Sequence, residues 1–168
     1  MHLTNEPGTA SQSERSVIHS TFVIERSYSA TPERVFAAFA DPARKRHWMR
    51  GDNTLELQEL EMDFRVGGWD RIRYLHHEGN PFPGTAMAND ATYLDIVPNR
   101  RIVMAYSMAI DGRRFSTSLA TFELLPTDAG SKLIFTEQAA FFEGADGAQM
   151  RESGWRTLLE KVADELAG

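Results

Sequence analysis

Cysteine is absent from the 168 residues. That excludes a disulfide framework, a thiol nucleophile and any thiolate metal site. Long apolar runs are lacking too: none approaches the ~18 residues of a membrane-spanning helix. The first sixteen residues, MHLTNEPGTASQSERS, have no apolar stretch of the signal-peptide kind. Their polarity predicts a disordered tail, 1–16, ahead of a single domain over 17–168. A cytoplasmic location is the default expectation. Positive charge is in deficit, with 18 Lys and Arg against 24 Asp and Glu. This balance argues against nucleic acid and against an anionic membrane surface as partners. There is no Gly-x-Ser-x-Gly, no Walker loop and no Gly-x-Gly-x-x-Gly, so no catalytic residue and no cofactor are expected. The five histidines are scattered. His76 and His77 are adjacent, and neighbours on a strand point to opposite faces, so no metal is expected either. Repeats and low-complexity segments are also missing.

What is present is an amphipathic stretch at the C-terminal end. Trp155, Leu158, Leu159, Val162, Ala163 and Leu166 recur at helical spacing and form one apolar stripe. Asp146 followed by Gln149 reads as an N-cap with its capping-box partner, which starts the helix near Gly147. Asp164 and Glu165 sit at the end where the helix dipole disfavours negative charge, so packing must hold this helix in place. Almost everything upstream reads as strand.

In chain order, Val17 to Ala30 alternates, with Ile18, Phe22, Ile24 and Tyr28 on one face. Thr31-Pro32 and Asp41-Pro42 are helix-start signals. They predict two short helices, the second ending near Trp48. Leu55 and Leu57 share one parity, Leu60, Met62 and Phe64 the other, which places a bulge near Gln58-Glu59. Gly67-Gly68 is a turn between strands. Trp69 to His76 is the next strand, and the segment from His77 to Gly84 a loop. Further strands are expected over 91–97, from Ile102 to the Asp111-Gly112 hairpin turn, over 115–125 and over 132–141. The class is α+β, an antiparallel sheet curved around one long helix. Such a sheet leaves a cavity beneath the helix wherever its side chains are small.

Parity nominates the cavity wall. Ile102, Met104, Tyr106 and Met108 share one face of their strand, and Leu133, Phe135, Glu137, Ala139 and Phe141 share a face of the last. From these sets Met104, Tyr106, Phe135, Glu137 and Phe141 are the candidate ligand-binding residues. The Tyr106 hydroxyl and Glu137 carboxylate would be the polar groups in a mostly apolar hollow. Glu137 has a second reading, as a residue at the open end of a strand, in water. Met87, Met104 and Met108 are core fillers first and adaptable lining second. Arg71 and Arg73 have the solvent-facing parity.

Several segments together resemble one family. They are SATPERVFAAFADP, the tryptophan in RHWM, MDFRVGGWDR, ATYLDIVPNRRIVMAYSM, and the closing FTEQAAFF and SGWRTLLEKVADEL. They look like the SRPBCC (START-like, Bet v 1-like) superfamily, in the branch of the heat-shock protein 90 ATPase activator homologues. The resemblance covers residues 17–166. It implies a helix-grip fold with a cavity between sheet and C-terminal helix that takes apolar molecules. The first expectation is therefore a protein that binds a small apolar or aromatic ligand. A second is an activator-like co-chaperone. The eukaryotic activator, however, meets the chaperone through an additional N-terminal domain, which the polar tail does not supply. A third is a cyclase or hydratase using a pocket carboxylate and tyrosine. An exposed sheet edge leaves room for a homodimer.

Overall fold

The strands and helices follow the order β1 (Ile18–Tyr28), α1 (Pro32–Ala40), α2 (Pro42–Trp48), β2 (Leu55–Met62), β3 (Trp69–His76), β4 (Ala86–Val97), β5 (Arg101–Ile110), β6 (Arg113–Thr127), β7 (Gly130–Phe141) and α3 (Ala148–Ala167). This computed structural model describes residues 16–168. The expected tail therefore lies, apart from Ser16, outside the described residues. The strands form one antiparallel sheet in the order β1-β7-β6-β5-β4-β3-β2. Each consecutive pair from β2 to β7 is a neighbour pair, and β1 joins the far side against β7. The two short helices carry the chain from one sheet edge to the other. Both begin as their sequences direct. The Thr31 side chain accepts from the Arg34 amide, and Asp41 accepts from the Ala43 and Arg44 amides, each cap followed by proline. No helix among the described residues is long and apolar enough to cross a membrane.

Sheet curvature has local causes. The register slips between Leu57 and Glu59, where the change of hydrophobic phase placed a bulge, and again at Tyr93/Asp95 and Met108/Ala109. The Gly67-Gly68 turn is tight. Gly67 has φ 82°, and a Cβ on Gly68 would stand 2.0 Å from the Asp63 carbonyl oxygen. Its backbone is bonded to β4, Gly67 N–H to Tyr93 O and Tyr93 N–H to Gly68 O. The turn thus fixes the start of β3 against Tyr93.

Two strands run longer than their composition predicts. β4 begins at Ala86, because Ala-Met-Ala-Asn-Asp is laddered on both sides, by β3 and by β5. Pairing there overrides poor strand propensity. β6 continues through Pro126 to Thr127, opposite Gly130. β5 starts only at Arg101, opposite Glu123, so past that point β6 has one neighbour and proline leaves no ladder bond unmade.

Helix α3 lies across the inward face. Arg151, Trp155, Leu159, Val162 and Leu166 are buried. The Trp155 ring sits 4.4 Å from Phe135 and 5.7 Å from Phe122 between centroids. Leu158, expected in the core, is only half-buried. The capping box is not formed: Gly147 is the N-cap with no side-chain cap bond, because Asp146 is turned toward Arg151. At the other end the Arg34 guanidinium donates to the Leu166 carbonyl at 2.8 Å and Glu165 pairs with His47. The Arg34 cation offsets the acidic terminus of α3. Midway, the Tyr28 hydroxyl donates to the Leu159 carbonyl at 2.9 Å.

Candidate functional site

Along one row of the sheet Asp70, Ala91, Tyr106 and Ser118 stand side by side on β3, β4, β5 and β6, and all four are buried. Ala91 reaches no further than its Cβ, so the inward face is low between Asp70 and Tyr106. Under α3 this leaves a cavity of about 430 Å³. Ile72, Met87, Met104, Met108, Phe122 and Leu158 supply much of its apolar wall. Asp52, Pro81 and Met150 border it and are exposed, which marks the mouth.

One polar cluster joins α3 to the sheet. The Arg151 side chain forks onto Asp146, with Nε 2.8 Å from Oδ2 and Nη2 2.9 Å from Oδ1. Nη2 also donates to Ser116 Oγ, and Nη1 to Tyr106 Oη and Ser118 Oγ. Every guanidinium N–H is thus engaged. Tyr106 donates to Glu137 Oε1 and accepts from Arg151 and from Trp155 Nε1. Trp155 Nε1 shares its proton with Glu137 Oε1 at 3.2 Å. Glu137 is fully buried. Its Oε2 has no hydrogen-bond partner among the described residues and faces Arg151 Nη1 at 3.7 Å. Burial raises the Glu137 pKa above the carboxylate range, against the opposing pull of Arg151, Tyr106 and Trp155. Burial likewise pushes the Tyr106 phenol up.

A second cluster lies on the same wall, beside β2. Lys45, from α2, donates to Asp70 Oδ2 and, at 3.3 Å, to Tyr93 Oη. Tyr93 donates to Asp70 Oδ1 at 2.5 Å. All three residues are buried and border the cavity. Burial, aided by Asp70, raises the Tyr93 phenol pKa. Toward the other end of β3, His76 Nδ1 is 2.7 Å from Thr85 Oγ1, while the Thr85 proton goes to the Phe82 carbonyl at 2.6 Å. Thr85 must therefore accept, so neutral His76 carries its proton on Nδ1 and keeps Nε2 as an acceptor. Burial lowers the His76 pKa, which favours that neutral form.

Of the residues nominated by parity, Met104 and Tyr106 border the cavity. Phe135, Glu137 and Phe141 are buried in the layer behind, Glu137 directly behind the Tyr106 hydroxyl. Glu137 has a cation beside it, Arg151, and burial still outweighs it in raising the carboxyl pKa. Parity did not single out Lys45, Asp70, Tyr93 or Arg151. The signals were nonetheless in the sequence. Asp70 and His76 share the parity of Ile72 and Tyr74, Lys45 lies three residues before Trp48, and Arg151 lies four before Trp155.

Residues 29–167 match the family model described as Activator of Hsp90 ATPase homolog 1-like protein. No curated protein matches the chain. Among solved structures, the Mll3558 protein from Rhizobium loti is 48% identical, with TM-score 0.78 over 90% of this chain and 99% of that one. An uncharacterized protein from Rhizobium leguminosarum is 36% identical, with TM-score 0.83 over 90% and 97%. An AHSA1-like protein from Aeromonas hydrophila, at 16% identity and TM-score 0.64 over 88% and 92%, shares the fold.

Proposed function

The chain belongs to the Activator of Hsp90 ATPase homolog 1-like family, and within it we propose that this protein binds a small apolar or aromatic molecule between the sheet and α3. The cavity carries the reading. At about 430 Å³ it falls within the ~300–1,000 Å³ usual for small-molecule sites, which pair an apolar wall with a few convergent polar groups. Met87, Met104 and Met108 give that wall side chains able to adapt to a ligand's shape. Met104 and Tyr106 are part of the proposed binding wall, and Phe135, Glu137 and Phe141 support it from behind. The cyclase or hydratase reading requires Glu137 to reach a substrate, and Tyr106 stands between Glu137 and the cavity. The test is native mass spectrometry of freshly purified protein, followed by titration with a neutral apolar dye. A co-purified small molecule or saturable one-to-one dye binding is expected. A protein that carries nothing and binds no dye refutes the reading. The family description supports a co-chaperone reading as the alternative. Stimulation of a heat-shock protein 90 ATPase by a protein with an unresponsive cavity would put it first.

A further inference from the structure

The two polar clusters on the cavity wall differ in what they have left to offer. Each N–H of Arg151 has an acceptor, and the Tyr106 oxygen gives one hydrogen bond and accepts two. Neither can meet a ligand without giving up a bond already made. Their joint effect is to tie α3 to the sheet. Lys45 is different. An ammonium has three donors, and among the described residues two are used, on Asp70 and Tyr93. The third belongs to a buried group at the cavity wall. A buried donor without an acceptor is unfavourable, so this position rewards an occupant that brings one. Asp70 and Tyr93 hold the ammonium in place, and the Tyr93 ring packs edge-on against Phe64 at 5.0 Å.

The wall also selects on charge. Its formally charged residues are Lys45, Arg151 and Lys161 against Asp52, Asp70 and Asp146. Lys45 is paired with Asp70 and Arg151 with Asp146, while Lys161 acts electrostatically on Asp52 near the mouth. Both buried cations of the wall, Lys45 and Arg151, are thus already balanced and are not free to pair with an anion moved out of water.

We infer that the cavity's occupant is a neutral apolar or aromatic molecule with one acceptor oxygen, a ketone, ester or hydroxyl, seated on the third N–H of Lys45. This rests on the ligand-binding reading above and specifies its chemistry. Three naphthalenes of similar size test it: 2-acetylnaphthalene, 2-ethylnaphthalene and 2-naphthoate, each titrated against the full chain by displacement of a neutral apolar dye. The acetyl compound is expected to bind about three- to tenfold more tightly than the ethyl compound, the yield of one hydrogen bond, and more tightly than the anion. In the paired variant Lys45→Met with Asp70→Asn, which leaves no lone buried charge, the ratio of acetyl to ethyl affinity should fall to about one. Tyr93→Phe, which removes only the hydroxyl that helps orient Lys45, should reduce the advantage without abolishing it. Equal binding of acetyl and ethyl compounds by the unaltered chain overturns the inference and leaves the binding reading standing. So does tightest binding of the naphthoate, or an acetyl advantage that survives in a folded paired variant. If the dye and all three naphthalenes fail to bind, the binding reading itself falls.

Discussion

Replacing Arg151 by methionine should damage the protein more than its place near the start of α3 implies. The side chain is buried, and its removal takes hydrogen bonds from Asp146, Ser116, Ser118 and Tyr106. It also leaves Glu137, fully buried, without the cation 3.7 Å away. Breaking one side of a buried ion pair costs about 3–5 kcal/mol. Glu137→Gln should be milder, about 1–3 kcal/mol, because its NH2 takes the place of a buried oxygen that has no partner. The amide oxygen still accepts from Tyr106 and Trp155, and the other carboxylate oxygen had no hydrogen bond to lose. In the Gln background the fully buried negative charge is gone, and only the Asp146 carboxylate, nearer the surface, loses its cation. Arg151→Met should therefore cost ~1–3 kcal/mol less there than in the unaltered chain, a coupling typical of directly interacting pairs. Urea unfolding of the four proteins measures it, provided the denaturant slopes agree. The pH arm has a definite sign. The folded pKa of Glu137 is raised above its ordinary 4.5, so between those values the native state holds the extra proton and stability falls as pH rises. Loss of Arg151 removes a lowering influence and should extend that fall to higher pH, while the double variant should not show it. Additivity within ~0.5 kcal/mol, together with unchanged pH profiles, would refute the account of this cluster.

The other predictions concern the helix, the cavity and the mouth. Leu159→Ala should lower stability by about 2–5 kcal/mol, the range for an enclosed leucine, because Leu159 is 1% exposed on the buried face of α3; an unchanged denaturant midpoint would contradict the packing of α3 on the sheet. Ala91→Leu should fill the low point of the cavity and weaken neutral-dye binding at least tenfold with the far-ultraviolet spectrum unchanged; equal affinity in a folded variant would mean the dye binds elsewhere. His76, lowered from 6.5 by burial, should titrate by NMR below that value. The unfolded chain then binds more protons between the two pKa values, so acidification below pH ~6.5 should remove stability, and a midpoint at or above 6.5 would reverse the assignment.

Local rules were sufficient for much of the chain. Thr31-Pro32 and Asp41-Pro42 each start a helix, and the sequence shows it because the cap and the proline act within one turn. The hydrophobic phase change at Gln58-Glu59 marks a bulge, because a slip of one residue turns every following side chain to the other face. The stripe from Trp155 to Leu166 specifies a gripped helix by its own spacing. Parity also brought Met104 and Tyr106 to the inward face. It could not say how deep a residue on that face would sit, so Glu137 was placed at the wall and lies behind it. Depth depends on cross-strand neighbours: Ala91 opens the floor between Asp70 and Tyr106, and no single strand contains that row. The Lys45, Asp70 and Tyr93 cluster was illegible for the same reason. Its members come from a helix and two strands, 25 and 23 residues apart in sequence, and each alone reads as an ordinary polar or aromatic residue. Asp146 shows the competition directly. Its sequence context promised a helix cap, and tertiary structure gave its carboxylate instead to a buried guanidinium, because there it makes a bidentate pair and balances a cation taken out of water. The pattern of one strand or helix sets which way a side chain faces; the partners that decide what it does there come from other strands and helices.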